Sequence, residues 1–493
     1  MLPIKRRRHH IGPLPQRVVA ALLVAVFSGG CLTMLGGEQK VGDQAALQVE
    51  REMGLVDDPR LAGYVRQIGE RLVVHQTRKN ITYRFKVVDS HVPNAFALPG
   101  GHIYVTRGLL TLVNNEDELA GVIGHEIGHV VGKHGGRRVT MSAPFLVVSG
   151  LLGAATGIVS KRLGNAIVEG GAALSGVVVA PYSRGQEREA DRIGLDLAAN
   201  AGWNPEGLSR LLESLGREET LLRGQERKAH WLDSHPDTKE RVTDTRKRAA
   251  TLEWTAVPLI ARDRAGLLAK LDGMIVGEDS AGGVDVGDRF VHPELRFSVE
   301  FSEGWRTANT PTTVASVAPG GAAMVVMQIA GEGDDPADLL HKVEQETGQK
   351  LQYERKRING LPAAHARVVT KTQSGKLAFD VTWIGHAGLV YQIAGISQPK
   401  AADQWQPTFA RVAGSFRAAT RAELDQIRDT RLRVASAAGD GESLADLVAR
   451  SNSVWKLDKV AVANALEESS RLSGGRQVKV ARSEEYLPRK SSP

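Results

Sequence analysis

Two imidazoles and a carboxylate stand together in His125-Glu126-Ile127-Gly128-His129, at a spacing that suits one reaction type. On a helix, residues four apart lie on one side and one turn apart, so both rings can reach a tetrahedral zinc ion at about 2.0 to 2.1 Å. Glu126 then flanks the open coordination position, where a carboxylate serves as a base toward water. Composition alone would produce an H-E-x-x-H match about 0.02 times in such a chain, so the surrounding pattern has to decide.

That pattern is helical. Asn114 or Asn115 can cap a helix whose first turn carries Glu116, Asp117 and Glu118 and whose apolar stripe is Leu119, Ile123, Ile127 and Val130. His125 and His129 fall on the other side, beside Gly121 and Val122, and are not filling the core. A catalytic zinc site keeps three protein ligands and a water, so a third ligand is required. The segment Ser183 to Asp191 offers Glu187 and Glu189. Helical phase puts Glu187 on the face of Ala190, Gly194, Leu197 and Ala198, and Glu189 on the outer face with Asp196. An inward carboxylate among small apolar residues is costly unless paired or metal-bound, which favours Glu187 as ligand. Asp191 follows one turn later on the same face, placed to accept the free ring N–H of His125. The competing reading is a surface ion-pair lattice with Arg184, Arg188 and Arg192.

His235 lies in Ser234-His235-Pro236, where proline disfavours a continuing helix and leaves the histidine in a turn or loop. Such a ring can fill the fourth position and idle the site, or swing out and hydrogen-bond the oxyanion of the tetrahedral intermediate. Arg241 is a second oxyanion candidate. An exposed loop histidine unrelated to metal is the alternative.

These elements must be positioned by a larger body. At 493 residues the chain exceeds one core, and roughly 150 residues per domain suggests about three units. Hydrophobic residues at 42% and charged residues at 24% match folded, water-soluble proteins, which argues against a multi-span membrane protein or a disordered chain. The formal charge of +7 owes much to Lys5, Arg6, Arg7, Arg8 and Arg17, and no basic aromatic stretch points to nucleic acid. After that basic start come the apolar run Val18 to Phe27, too short to span a bilayer, and the small residues before Cys31. Residues 1–31 therefore read as an export signal. Cys31 is the only cysteine, so no internal disulfide forms. Its setting resembles a bacterial lipoprotein box, with Ser28 where that pattern prefers an aliphatic residue. Arg7 and Arg8 make a twin-arginine route conceivable, although the residues after them match poorly.

The fold class expected is α+β. Residues 40–255 form a mainly helical domain with a small sheet, strands falling at Tyr83 to Asp89 and His102 to Thr106 around the turn Pro99-Gly100-Gly101. Between Ala143 and Ala180, two Gly-rich apolar stretches flank Lys161 and Arg162, and read as a buried helical hairpin or a membrane-dipping element. Residues 256–288 are expected to link, the part from Asp272 to Asp288 being rich in Gly and Asp. Residues 289–420 read as a small α/β module, loosely similar to the PsbP-type fold. Residues 436–484 resemble a degenerate LysM module, a kind that contacts cell-wall glycan, or form a plain helical cap.

Asn94-Ala95-Phe96-Ala97 with Pro99-Gly100-Gly101, the helix with His125, Glu126 and His129, the Glu187-to-Asp191 segment, and Ser234-His235-Pro236 with Arg241 occur in one order over residues 44 to 250. In this the sequence resembles the membrane-associated zinc metallopeptidases of the HtpX, BepA and LoiP group, of the Ste-type CAAX-protease-like kind. The resemblance implies a gluzincin-like core with one zinc ion per chain, protein substrates, and a role in envelope protein quality control. It also implies a substrate strand pairing beside Asn94 to Ala97 and a histidine at His235 able to approach the zinc. Together with the N-terminus it places the protein in the periplasm, lipid-anchored to the outer membrane through Cys31, with peptidoglycan as a further partner. A different class remains open: an envelope chaperone or scaffold with a mostly closed metal site. An N-terminal exopeptidase would need an acidic amine-binding motif near the helix, which the sequence lacks.

Overall fold

The computed structural model describes residues 38–134, 139–141, 177–179, 181–222, 231–236, 238–347, 350, 352–372 and 375–488. Cys31, the expected signal and nearly all of Ala143 to Ala180 lie outside the described residues.

The first body is α+β, as expected. Helices α1 (Glu38–Met53) and α2 (Pro59–Val73) precede strands β1 (Arg84–Val88), β2 (Ala95–Leu98) and β3 (His102–Thr106). These strands form a sheet of order β1-β3-β2, with β1 parallel and β2 antiparallel to β3. Helices α3 (Arg107–Leu112) and α4 (Glu116–Val131) follow, then α5 (Arg184–Asn200), α6 (Gly207–Leu222), the short helical turn Trp231–Ser234, and α7 (Thr238–Ala249). Asn115 caps α4 by accepting from the Glu118 amide at 3.0 Å, and the Glu118 carboxylate reaches back to the Asn114 amide at 2.7 Å. Two orphan donors at the helix start are thereby satisfied.

Helix α4 is buried nearly all round, not only along its apolar stripe. The stripe joins the main core, and the side that carries Gly124 and Gly128 lies against α5. Glu116 is the bolt at its N-terminus. Its buried carboxylate accepts from Tyr64 Oη (3.1 Å), Trp203 Nε1 (2.9 Å) and the amides of Ile260 (2.8 Å) and Ala261 (2.6 Å). Four donors stabilise a charge that would be costly in an apolar surrounding.

Residues 259–276 of the expected linker are built into this body, whereas Val284–Val286 pairs with Arg289–His292 in the four-stranded sheet of the next one. Helix α8 (Arg264–Leu271) buries Leu267, Leu268 and Leu271, the first and last of them in the main core. Residues 273–276 then run beside the first strand of the C-terminal unit, Arg428–Ser436, exchanging backbone bonds with Leu432 and Thr430.

The middle body carries a seven-stranded sheet and a four-stranded sheet, every strand pair in them antiparallel. Helices Pro336–Thr347 and Ala402–Gly414 pack on the larger sheet. Apolar residues fill both of its faces.

The C-terminal unit starts earlier than residue 436. Arg428–Ser436 pairs antiparallel with Gln477–Glu485, and helices Leu444–Arg450 and Leu457–Ala463 lie between them in sequence. It shares a core with the first body through Leu432, Val462 and Ala481. The fully buried Lys479 makes that seam specific, donating from Nζ to the carbonyls of Thr111 (2.8 Å) and Val113 (2.6 Å) at the end of α3. Burial holds its pKa well below the usual lysine range, with the Glu118 carboxylate opposing. Arg217, Arg264 and the Lys459–Glu218 ion pair add part-buried contacts.

Lys479→Ala leaves two buried carbonyls unpaired and opens a cavity at the seam. We expect a loss of about 2 to 4 kcal/mol, measured by urea unfolding. A variant as stable as the parent would show that the seam does not depend on this side chain.

Candidate metal centre

Helices α4 and α5 meet at small residues. A Cβ added at Gly128 would lie 2.7 Å from the Ala190 carbonyl oxygen, one at Gly124 2.9 Å from that of Gly194, and one at Gly194 2.7 Å from the His125 amide nitrogen. The two backbones are therefore nearly in contact, which only glycine permits here. This approach brings the inward face of α5 against His125 and His129. Ser183 starts α5 with a capping box, so that Glu187 falls in its first turn and is buried, on the inward face that helical phase predicts.

The donor atoms converge. His125 Nε2 is 2.9 Å from His129 Nε2, His129 Nε2 is 3.3 Å from Glu187 Oε1, and His235 Nδ1 is 3.0 Å from Glu187 Oε1 and 3.3 Å from His125 Nε2. One ligand atom from each of His125, His129, Glu187 and His235 lies within 4.8 Å of the others, and all four residues are buried. Three nitrogens and one carboxylate oxygen are a donor set that suits zinc.

His235 sits directly after the turn Trp231–Ser234, its amide donating to the Trp231 carbonyl at 2.9 Å. Its ring stacks on Trp231 with centroids 3.8 Å apart and has Tyr182 at 5.2 Å on another side. It is thus an enclosed member of the group and not an exposed loop histidine.

Glu126 is fully buried, and neither carboxylate oxygen has a hydrogen-bond partner among the described residues. Its Oε1 lies 3.8 Å from His235 Nε2. Burial pushes the carboxyl up to about 8, with His125, Arg241 and the nearby Ala97 backbone pulling the other way. Ala97 belongs to β2, an edge strand whose side chains from Ala95 to Leu98 are buried. Asn94 precedes that strand, its amide donating to Thr106 Oγ1 at 2.9 Å.

Asp191 Oδ1 stands 2.8 Å from His125 Nδ1, the pairing expected from sequence. Arg241 is engaged by carboxylates. It donates to both Asp191 oxygens (2.8 and 2.7 Å), and its Nη1 is 2.6 Å from Glu187 Oε2, so it braces the two carboxylates. Burial alone would raise the Asp191 carboxyl, but Arg241 and His125 bring it down to about 2. His235 and His129, again against burial, hold Glu187 well below the usual carboxylate range. Both carboxylates are anionic, as metal support requires. Burial lowers the His235 ring to about 4, so it stands neutral with a lone pair for a cation.

Residues 59–249 match the model of peptidase family M48. This segment is an M48 peptidase domain. Relatives include the beta-barrel assembly-enhancing protease of Escherichia coli (strain K12), 31% identical over 225 residues, which are 45% of this chain and 46% of that one. Metalloprotease YcaL of the same organism is 28% identical over 232 residues, 46% of this chain and 80% of that one. The chain spans about half the length of the first curated relatives it matches. Cyanobacterial PsbP from Synechocystis sp. PCC 6803 is a solved structural neighbour at 12% identity, covering 28% of this chain and 98% of that one, with a TM-score of 0.22. A likeness of that size assigns nothing to the middle body.

Within the M48 domain, two residues near the donor group escape the motif reading. Tyr182 stacks on the His129 ring at 3.6 Å, and His134 Nδ1 lies 2.9 Å from His129 Nδ1. Tyr182 carries no spacing signal. His134 lies five residues after His129, off the helical repeat, because the helix ends between them.

Gly128→Ala forces α4 and α5 apart, since the new methyl meets backbone and not a movable side chain. We expect a cost of about 1 to 3 kcal/mol in thermal unfolding and a weaker hold on metal. Full metal content and unchanged stability together would contradict the close-approach account.

Proposed function

We propose that the protein is a zinc-dependent endopeptidase of the bacterial cell envelope, acting on misfolded or misassembled envelope proteins. The reading is carried by one observation: a buried donor group of His125, His129, Glu187 and His235 beside an unpartnered carboxylate, Glu126. The name of the E. coli relative, an assembly-enhancing protease, supports the same substrate class.

His125, His129 and Glu187 are assigned as ligands of one zinc ion, in a gluzincin-like arrangement. Zinc, when bound, polarises the scissile carbonyl and acidifies water. Glu126 takes the proton of the attacking water and passes it to the leaving amine. Asp191 orients His125, and Arg241 keeps Asp191 and Glu187 anionic and aligned, which replaces the oxyanion role expected for Arg241. His235 acts as a gate, idling the site when its ring stands among the donors and helping to hold the oxyanion when it swings out. The substrate strand is assigned to β2, beside Asn94, Ala95, Phe96 and Ala97.

We also propose that the chain is exported to the periplasm and anchored to the outer membrane through a lipid on Cys31. Among the described residues no helix is long and apolar enough to cross a membrane. Intact-mass analysis of protein purified from membranes tests the anchor: a mature chain beginning at acylated Cys31 is expected, and an unmodified start elsewhere would remove it. The C-terminal unit is proposed to be LysM-like and to contact wall glycan, for which co-sedimentation with purified sacculi is the measurement.

One observation favours a second reading, an envelope chaperone or scaffold with a closed site: all four donors and Glu126 are buried. Zinc analysis combined with casein digestion separates the two, since bound zinc with no cleavage under any condition supports the scaffold. For the peptidase, Glu126→Gln should keep zinc and lower cleavage at least a hundredfold. Glu187→Gln should weaken zinc itself, and His235→Ala should change the cleavage rate with zinc retained. Loss of zinc from Glu126→Gln alone would reverse the assigned roles.

A further inference from the structure

We propose that His134, backed by Glu189, is a positioning residue for the metal: it fixes the tautomer and orientation of the His129 ring. This rests on the reading of His125, His129 and Glu187 as zinc ligands.

The end of α4 delivers His134 to that place. Lys133 adopts a left-handed φ of 57°, its amide bonds to the Val130 carbonyl (3.2 Å), and the His134 amide bonds to the His129 carbonyl (3.0 Å). These are the two bonds of a Schellman C-cap, a motif that folds the second residue past the cap back onto the residue three before it. Those two residues are His134 and His129, so the cap places one ring beside the other. Gly132 leaves the room required, since a Cβ there would lie 2.5 Å from His134 Nε2 and 2.7 Å from its Cε1.

The proton arrangement follows from which atoms face which. His129 Nε2 faces the donor group, 2.9 Å from His125 Nε2 and 3.3 Å from Glu187, so it must carry the lone pair in order to ligate. Its proton is then on Nδ1, which points at His134 Nδ1 across 2.9 Å. His134 Nδ1 therefore accepts, and its own proton sits on Nε2, which faces Glu189 Oε2 at 3.2 Å. Each nitrogen in the chain Glu189–His134–His129 has one role, and none is left over. The His134 side chain is nearly fully buried while Glu189 is half exposed, so the carboxylate ends the chain at solvent. Tyr182 stacks on the face of His129, and His134 holds its edge. His125 has a direct carboxylate, Asp191, at the corresponding nitrogen; His129 has a histidine and then a carboxylate.

The test uses the full chain, with zinc affinity measured by competition against a chromophoric chelator, the cobalt-substituted absorption spectrum, and the melting temperature of the metal-free protein. Wild type should bind one zinc ion per chain. His134→Leu should weaken zinc 10- to 100-fold and shift the cobalt bands, with metal-free melting unchanged. His134→Asn should recover most of that loss, because the amide oxygen can accept where Nδ1 does. Gly132→Ala, whose methyl displaces the ring, should behave like His134→Leu, and Glu189→Gln should lose about two- to fivefold. Wild-type affinity and spectrum in His134→Leu would overturn the inference while leaving the metal site intact. So would a loss that tracks a fall in metal-free melting temperature and that His134→Asn does not recover. Wild type that binds no zinc would instead sink the metal-site reading, and this one with it.

Discussion

The close approach of α4 and α5 is the constraint on which the rest of the M48 domain depends. Two helices whose facing residues all carry Cβ atoms cannot bring their backbones together as these do at Gly124, Gly128 and Gly194. Without that approach Glu187 and Asp191 would stand away from His125 and His129, and each would be a buried charge with no partner. With it, His125, His129, Glu187, Asp191 and Arg241 share one volume and face one another. The small residues are thus the precondition for the charged ones.

A buried polar group of this size is costly unless nearly every donor and acceptor is used. Arg241 uses its guanidinium against two carboxylates, Asp191 meets His125, and His134 meets His129. Single atoms of His125, His235 and Arg241 also lack a hydrogen-bond partner among the described residues, but each of those side chains is engaged through another atom, whereas both oxygens of Glu126 lack one. A carboxylate kept buried and unpaired beside four candidate ligands is a local cost without a structural return, which is where function is to be sought.

The same logic of buried satisfaction joins the bodies. Glu116 ties the start of α4 to α2 and to the 260–261 backbone, and Lys479 ties the C-terminal unit to the end of α3. The catalytic helix and its neighbours are therefore gripped at the N-terminal end by segments distant in sequence. In the stretch 256–288 the Gly and Asp of Asp272 to Asp288 suggest freedom, but they surround the apolar run Met274-Ile275-Val276, and residues 273–276 pair with Leu432 and Thr430 of a neighbouring strand.

What the sequence determined by itself was whatever a helix's own geometry decides. The four-residue spacing of His125 and His129 and the inward phase of Glu187 against the outward phase of Glu189 follow from 100° per residue, and a cap at Asn114 or Asn115 follows from residue type, none of them needing tertiary knowledge. So did Asp191, one turn beyond Glu187. Tertiary structure decided what lies across space. Arg241 carried a charge that suited an oxyanion, yet only the packing of α7 against α5 shows its donors engaged by Asp191 and Glu187. His235 was ambiguous as a loop histidine until its ring was seen enclosed by Trp231 and Tyr182. His134 was invisible because a left-handed residue at the helix end breaks the periodicity through which the other residues were read, and that same break puts its ring against His129.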